Sequence, residues 1–272
     1  MKIVTADLEA EIERLLGPGL EKNSWRRDFE AFRERRLWNE NYHRRRVRIL
    51  SREWGKAARG TILDLGTGRG GLAVALAREG YPVVALDLRR NCCRLAKLRA
   101  YRYGLDLPAV CARGEELPFR GESFTGVVCR DVLEHCECPG LLLAEIHRVL
   151  RPGGSCFVTV INRWAWVDPH YHLFASSFLP GPLRDRYVRL RGRDKGTARD
   201  RQRLSELHSF SYREFVRWAS SFGFRVRDLA AESLERYRRE STRSWLRWVR
   251  SRLLRPFSLH ANHFEFLLLK AA

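Results

Sequence analysis

The sequence lacks the segments that mark a membrane-spanning or an exported protein. No apolar run in its 272 residues approaches the ~18–20 residues that a spanning helix needs. The amino-terminal residues turn acidic at Asp7 and contain no apolar core of secretory length. No internal repeat or low-complexity linker divides the chain, and 44% of its residues are hydrophobic. We therefore expect a globular protein of the cytoplasm.

Lysine is also scarce, although the chain is strongly basic. Lysine and arginine together number 51 against 32 acidic residues, which gives a formal net charge of +19. The lysines are Lys2, Lys22, Lys56, Lys97, Lys195 and Lys270. Arginine therefore carries nearly all of the positive charge, which attracts nucleic acid, anionic membrane surfaces or anionic substrates. A general arginine bias of the genome would produce the same composition.

The seven cysteines do not follow the spacing of a metal site or a disulfide framework. His135, Cys136, Glu137 and Cys138 form a cluster of ligand-type residues, but no second ligand pair follows at zinc-site spacing. Without an export signal, the thiols are expected to remain reduced. We therefore expect no bound metal and free cysteines.

The middle of the chain alternates short apolar runs with amphipathic segments. The runs predicted as strands are 61–65, 82–86, 124–129 and 155–161. The segments predicted as helices are 71–78, 91–103 and 140–150. This alternation is typical of βαβ units, which form a parallel sheet with helices on both faces. The pattern predicts a doubly wound α/β fold.

The two ends of the chain extend this core. Residues 1–58 are predicted to form a helical extension whose first helix ends at Gly17-Pro18-Gly19, and residues 59–272 form the main domain. Strands are predicted at 224–229 and 264–269, after a helix at 211–222. Two insertions, at 162–209 and 231–262, combine aromatic residues with many arginines.

A glycine-rich loop joins the first predicted strand to the helix that follows it. The loop runs from Asp64 to Gly71, and its glycines satisfy both the G-x-G-x-x-G and the G-x-G-x-G patterns. Glycines permit a tight turn and a close approach of the backbone to a ligand. Asp87 ends the next strand, where an acid can bind the two hydroxyls of a ribose. The loop alone therefore leaves a nicotinamide dinucleotide and another nucleoside cofactor as alternatives.

The motifs downstream of the loop resemble those of the class I S-adenosylmethionine-dependent methyltransferases, in particular the quinone-biosynthesis group. They are ILDLGTGRGG at 62–71, VVALDL at 83–88, GEELPF at 114–119, SFTGVVCRDVLEH at 123–135 and EIHRVLRPGG at 145–154. The resemblance covers about residues 60–161. It implies a Rossmann-like methyltransferase fold with seven mostly parallel strands, the last one antiparallel, and S-adenosylmethionine as cofactor.

The resemblance also implies individual roles. Asp64 would lie near the methionine amino group of the cofactor, Asp87 would bind the ribose hydroxyls, and Leu88 would pack on the adenine. Arg113 stands where the family usually has an acid, which leaves Glu115 or Glu116 for the adenine contact. The remaining implied cofactor-binding residues are Gly66, Thr67, Gly68, Gly70, Gly114, Glu115 and Arg130.

Four histidines are candidates for a general base that deprotonates the methyl acceptor, since the pKa of histidine is close to neutral. They are His135, His170, His172 and His208. The motifs typical of exocyclic-amine methylation and of RNA cytosine-C5 methylation are missing. We expect transfer to an oxygen or carbon of a small-molecule or lipid-like acceptor. The alternatives are an RNA methyltransferase, a nicotinamide-dependent oxidoreductase and a cofactor-binding protein without catalysis.

The two basic insertions admit three interpretations. They form a lid that packs its aromatic residues on the domain, a surface that contacts an anionic membrane, or a cradle for nucleic acid. The second interpretation predicts a protein at the periphery of the membrane, and the first is compatible with either class of acceptor, lipid or nucleic acid. The oligomeric state is open.

Overall fold

The computed structural model describes residues 6–21, 28–54, 60–193, 202–232 and 262–272. Within these residues, seven strands form one sheet in the order β3-β2-β1-β4-β5-β7-β6. The strands are β1 (Ile62–Leu65), β2 (Val83–Asp87), β3 (Ala109–Cys111), β4 (Phe124–Cys129), β5 (Leu150–Ile161), β6 (Phe224–Asp228) and β7 (His263–Lys270). The pairs β1–β2, β1–β4 and β2–β3 are parallel, whereas β7 is antiparallel to both β5 and β6. The predicted α/β fold is confirmed.

The chain divides into two compact units. The first unit comprises Met1–Cys129 and Arg148–Gly154, and the second comprises Arg130–His147 and Ser155–Ala272. The helices of the first unit are α1 (Ala6–Glu21), α2 (Phe29–Leu37), α3 (Asn39–Tyr42), α4 (Arg44–Trp54), α5 (Gly71–Arg78) and α6 (Arg90–Tyr101). The glycine loop therefore lies between β1 and α5, as predicted.

The amino-terminal extension is helical, as expected, but its first helix does not end where the sequence predicts. Helix α1 continues through Gly17-Pro18-Gly19 to Glu21. One face of α1 is buried by Leu8, Ile12 and Leu16 in a cluster that includes Leu95 of α6. Tertiary packing of an amphipathic face commonly outweighs local preference, and that effect accounts for the helical path here.

A buried ion-pair network also joins the extension to α6. Glu40 of α3 accepts hydrogen bonds from Arg99 at 3.0 Å and from Arg102 at 3.1 Å, and all three side chains are fully buried. The Tyr103 hydroxyl donates to the same carboxylate at 2.8 Å. Burial lowers the pKa of Arg99 to about 10, although the Glu40 carboxylate favours its charged form. Buried charges of this kind require their partners.

The second unit contains the insertion at 162–209. Its helices are α7 (Pro139–Val149, whose last two residues belong to the first unit), α8 (Gly181–Leu190) and α9 (Tyr212–Ser221), with 3-10 helices at Leu133–His135, Ser176–Phe178 and Leu204–Glu206. The insertion forms its own apolar cluster, which includes Tyr171, Leu173 and Val188. Most of the second predicted insertion, 231–262, lies outside the described residues. None of the described helices has the length and hydropathy needed to cross a bilayer.

Candidate functional site: a glycine loop and a histidine pair

Three glycines give the loop after β1 its shape. Gly66, Gly68 and Gly70 have φ values of 71°, 54° and 73°, in the left-handed region that other residues rarely adopt. A Cβ atom on Gly70 would lie 2.4 Å from the Cα atom of Ala96, so this glycine is required for the close approach of α5 to α6. A Cβ atom on Gly68 would meet only a carbonyl oxygen at 3.9 Å. The loop is thus packed on one side and open at Gly68.

Asp87 connects the end of β2 to this loop. One carboxylate oxygen of Asp87 accepts the backbone N–H of Gly68 at 2.8 Å, and the other accepts the N–H of Arg89 at 2.9 Å. The Arg89 side chain approaches the same carboxylate at 3.6 Å. The Asp87 side chain is buried, whereas the next residue, Leu88, is 64% exposed. The exposed Leu88 side chain therefore provides an apolar surface next to the hydrogen-bonding carboxylate of Asp87.

Asp64 stabilises the start of the loop. Its carboxylate accepts a hydrogen bond from the Thr67 hydroxyl at 2.7 Å, and both residues are buried. The Thr67 backbone N–H donates to the carbonyl of Leu86 at 2.8 Å, which ties the loop to β2. The predicted residues Asp64, Gly66, Thr67, Gly68, Gly70, Asp87 and Leu88 therefore belong to one cluster in the first unit. Such a strand–loop–helix crevice is where open α/β sheets bind ligands.

The segment after β3 holds two further predicted residues. Glu115 has a side chain that is only 12% exposed, and its carboxylate lies 3.8 Å from the Arg113 guanidinium. Gly114 lies between them and is partly buried. An acid is thus present at this segment although Arg113 replaces the usual one.

Arg130 is the first residue of the second unit, whereas that cluster belongs to the first unit. Its guanidinium is 2.9 Å from the carboxylate of Asp131. Asp131 has a φ of 53° and is held by Thr159, whose hydroxyl accepts the Asp131 N–H at 2.7 Å and donates to its carboxylate at 3.0 Å. Non-glycine residues held in this conformation, as Asp131 is two residues after the end of β4, cluster at functional sites.

Two of the four candidate histidines are in direct contact. The Nε2 atoms of His135 and His170 are 3.3 Å apart, and the two rings meet edge to face. The Glu134 carboxylate lies 3.8 Å from Nε2 of His170. The ligand-type atoms of all three residues lie within 4.8 Å of one another, a spacing that one cation could bridge. The absence of a metal therefore stays a prediction.

Gln202 determines the tautomer of His135. Its amide nitrogen donates to the His135 carbonyl at 2.9 Å, so its amide oxygen is the atom that faces His135 Nδ1 at 2.8 Å. Because an amide oxygen only accepts, Nδ1 of His135 carries the proton. Neutral His135 then has its lone pair on Nε2, the atom that faces His170.

Glu134, next to this pair, is an acid with a strongly raised pKa. Its side chain is 4% exposed, and burial raises its pKa to about 8, with a further increase from Asp131 and an opposing effect of Arg130. Its Oε2 atom has no hydrogen-bond partner among the described residues. Glu134 therefore holds a proton over much of the neutral range, which suits a group that exchanges protons.

The other two histidines are placed differently. His172 is exposed and has a φ of 53°, and its backbone N–H donates to the carbonyl of Asp168 at 2.9 Å. His208 is half-buried, and its backbone N–H donates to the carbonyl of Glu134 at 3.0 Å. The structure therefore brings together His135 and His170, while the side chains of His172 and His208 remain untested candidates.

Gln202 was missed as a site residue by the sequence analysis, and Glu134 was included only as part of the segment 130–135 that the resemblance places at the sulfonium end of the cofactor. Glu134 precedes the candidate His135 directly, and its position in an apolar context, Val132-Leu133, was the available signal. Gln202 follows a charged stretch and lies 67 positions from its partner. Only the path of the insertion brings Gln202 to His135, and no local pattern encodes that path.

Comparisons with known proteins identify this fold. The family described as a methyltransferase domain matches residues 63–158. A ubiquinone biosynthesis O-methyltransferase of Parvibaculum lavamentivorans is 30% identical over 169 residues, which cover 59% of this chain and 66% of that protein. Its counterpart in Caulobacter vibrioides is 32% identical over 140 residues, which cover 46% of this chain and 56% of that protein. The chain thus spans less than two thirds of the length of these relatives.

Solved structures give the same fold. A Haemonchus contortus phosphoethanolamine N-methyltransferase 2 in complex with S-adenosyl-L-methionine has a TM-score of 0.53 and 24% identity, covering 86% of this chain and 53% of that chain. The [4+2]-cyclase SpnF has a TM-score of 0.53 and 16% identity, covering 84% of this chain and 80% of that chain. Since a cyclase is among the similar structures, the likeness defines the fold and not the reaction. The matched domain and the relatives agree with the resemblance found in the sequence: residues 63–158 match a methyltransferase domain, and the chain is similar to ubiquinone biosynthesis O-methyltransferases over part of their length.

Proposed function

We propose that the protein transfers a methyl group from S-adenosylmethionine to an oxygen or carbon of a small-molecule acceptor. The observation that carries the proposal is the bond between Asp87 and the Gly68 N–H, since it sets a buried acid beside the open point of a glycine loop. The matched methyltransferase domain includes both residues. The O-methyltransferase names of the relatives favour a hydroxyl acceptor.

The first unit would hold the cofactor through residues already described. Asp87 would accept hydrogen bonds from the ribose hydroxyls, Leu88 would pack on the adenine, and Asp64 would face the amino group of the methionine part. Gly66, Gly68 and Gly70 would allow close approach of the loop, and Gly114 and Glu115 would border the adenine. When bound, the cofactor supplies a methyl group already activated by its positive sulfur.

The chain's own contribution is then to orient the acceptor and to remove its proton. Orientation near the geometry of attack can supply ~7–11 kcal/mol. A general base adds ~10²–10⁴-fold when the acceptor is a hydroxyl or an acidic carbon. We assign this role to the His135–His170 pair, in which Gln202 leaves the lone pair of His135 on Nε2. Glu134 borders the pair, and its pKa, which burial raises to about 8, suits it to exchange a proton near neutral pH.

Two measurements test the proposal. Calorimetry with S-adenosylhomocysteine should show binding, whereas protection of the protein by NADH without such binding would assign it to the oxidoreductases. Cell extracts should then be incubated with the enzyme and isotopically labelled S-adenosylmethionine, and the labelled products identified by mass spectrometry. Label in small molecules or lipids supports the proposal, and label confined to RNA replaces it with an RNA methyltransferase.

We also propose a cytoplasmic protein that contacts anionic membrane at its periphery. The insertion exposes an aromatic patch, in which Trp166 stacks on Phe174 with ring centroids 5.4 Å apart and also contacts Phe178. Aromatic rings beside arginines suit the interface of an anionic bilayer. Flotation with anionic vesicles over a salt series tests this contact. A steep salt dependence of RNA binding without flotation would contradict it.

A further inference from the structure

A group of cysteines surrounds the strand end that carries Asp87. Cys92 and Cys93 lie in the first turns of α6, and Cys111 ends β3 directly beside Asp87 in the parallel register. All three thiols are free, and all belong to the first unit. The proposed methyl transfer uses none of them.

Hydrogen bonds place two of these thiols side by side. The Cys93 sulfur donates to the carbonyls of Asp87 at 3.6 Å and Val110 at 3.3 Å, so it lies between the ends of β2 and β3. The Cys111 sulfur donates to the carbonyl of Leu88 at 3.2 Å. The acceptors Asp87 and Leu88 are consecutive residues, and Val110 precedes Cys111. The two thiols thus contact the same short backbone segment, residues 87–88, which carries the acid proposed to bind the ribose.

The thiols also interact with each other and differ in access. Burial raises the pKa of Cys93, and the neighbouring Cys111 raises it further through its charge and a hydrogen bond between the two side chains. Cys93 is buried, whereas Cys111 is exposed. Burial and the charge of Asp87 also raise the pKa of Cys92, to about 11, so its thiol has no advantage over that of Cys93. A reagent in solution therefore meets Cys111 first, with Cys93 behind it.

We propose that Cys93 and Cys111 are a redox-modification site, at which a small disulfide oxidant forms a Cys93–Cys111 disulfide that weakens cofactor binding. The Cys111 thiolate attacks one sulfur of the oxidant, breaks its S–S bond and releases the first thiolate, which takes up a proton. Cys93 then loses its proton and attacks the Cys111 sulfur of the mixed disulfide, which releases the second thiol. Two protein thiols are oxidised, and one disulfide is reduced to two thiols.

The effect on the cofactor follows from the bonds that the thiols give up. In the reduced protein, both thiols donate to carbonyls of the β2 end, including those of Asp87 and Leu88. The disulfide carries no S–H group, so these carbonyls lose their donors, and the Cα atoms of residues 93 and 111 must adopt a disulfide's separation. This step rests on the proposed function, because Asp87 and Leu88 matter only if they bind the cofactor.

Oxidised glutathione, applied to the full chain, is the test reagent, with reduced glutathione in parallel. Trypsin then releases residues 91–94 and 103–113, and mass spectrometry should detect these two peptides joined through residues 93 and 111. Calorimetry should show that the affinity for S-adenosylhomocysteine falls by about tenfold or more on oxidation. Dithiothreitol should restore the affinity.

Variants make the outcome specific. Cys111→Ser and Cys93→Ser should each lose the joined peptide, and Cys111→Ser, which cannot form the mixed disulfide, should retain its affinity under oxidation. Cys92→Ser should still form the link. Cys138→Ser removes another exposed cysteine, in the second unit, and should behave as the parent protein does.

The possible failures are distinguishable. A link through Cys92, the absence of any link, or a link that leaves the affinity unchanged would each overturn the redox proposal. A reduced protein that binds no S-adenosylhomocysteine would instead overturn the proposed function, and the joined peptide would still report the pairing of the two thiols.

Discussion

The Asp87 carboxylate and the Gly68 backbone N–H are joined by a hydrogen bond of 2.8 Å. This bond links the acid at the end of one parallel strand to the loop that follows the neighbouring strand. The second carboxylate oxygen is bonded to the Arg89 N–H, so the acid is fixed by backbone on both sides. A carboxylate held in this way meets a ligand without rearrangement, which reduces the entropy lost on binding.

Replacement of this acid should weaken cofactor binding. Hydrogen bonds to a charged group contribute ~1.5–3 kcal/mol each, so Asp87→Ala should reduce the affinity for S-adenosylhomocysteine by at least about tenfold. Calorimetry measures the affinity. Asp106→Ala removes an exposed aspartate of the same unit and should leave it unchanged. Equal affinities for both variants would remove Asp87 from the site.

Replacement of Gly70 should strongly reduce stability. Gly70→Ala introduces both a left-handed alanine, which costs ~1–2 kcal/mol, and a clash with Ala96, which adds ~1–3 kcal/mol. Gly80→Ala is the matched control, since its φ is 87° but no atom lies within 4 Å of the new Cβ. Urea unfolding should show the larger loss for Gly70→Ala. Similar losses would mean that α5 and α6 adjust to the extra carbon.

Replacement of Gly68 should affect cofactor binding more than stability, unlike the replacements of Gly70 and Gly80. Gly68→Ala places a methyl group at the open point of the loop, where the nearest atom is 3.9 Å away. Its free energy of unfolding should therefore fall only about as much as that of Gly80→Ala, by ~1–2 kcal/mol. Its affinity for S-adenosylhomocysteine should nevertheless be lost, because the methyl group occupies the space of the ligand. Unchanged affinity would show that the cofactor does not approach Gly68.

The histidine pair should affect the reaction and not the binding of the cofactor. His135→Asn and His170→Asn should each reduce transfer of labelled methyl groups to extract acceptors by ~10²–10⁴-fold, with unchanged affinity for S-adenosylhomocysteine. His172→Asn replaces an exposed histidine of the same unit and serves as control. A histidine nitrogen that acts as a base binds no cation, because a nitrogen that binds a cation has no lone pair left for a proton. A chelator should therefore leave the activity unchanged. Loss of activity on chelation would assign Glu134, His135 and His170 to a cation instead.

Glu134 should make the stability of the protein depend on pH. Its folded pKa is about 8, above the value of 4.5 for an unperturbed glutamate, so the folded state binds the proton more tightly than the unfolded state. The stabilisation is complete below pH ~4.5 and is lost as the pH rises towards ~8. Glu134→Gln should therefore raise the melting temperature relative to the parent protein more at pH ~9 than at pH ~5. The exposed Glu137→Gln should show no such difference.

The sequence predicted the central fold because short buried strands and their helices are encoded locally. Strand β4 and helix α5 have the predicted bounds, and β5 begins five residues before its predicted start at 155. Strand β3 was not predicted, since it has only three residues, too few to stand out as a strand in the sequence. The path of α1 through Pro18 also escaped prediction, because it depends on packing against α6.

The first part of the candidate site was predictable for a similar reason. Asp64, the loop glycines and Asp87 lie within 24 positions of one another and follow a recognised motif. For the second part of the site, the histidine pair, the sequence predicted the residues but not their contact. His135 and His170 were named one by one, but their contact depends on the course of the insertion. Gln202, which determines the tautomer of His135, carries no chemistry that would single it out in a sequence.

The buried carboxylate of Glu40 has a practical consequence for anyone who trims this protein. A fragment that starts at residue 59 would lose the Glu40 carboxylate that pairs with Arg99 and Arg102, and also the helices that cover these two guanidinium groups. In the intact chain, removing one side of this buried ion pair is expected to cost ~3–5 kcal/mol, comparable to the whole margin that keeps many domains folded. The amino-terminal helices and α6 therefore stabilise each other. A fragment without these helices should aggregate.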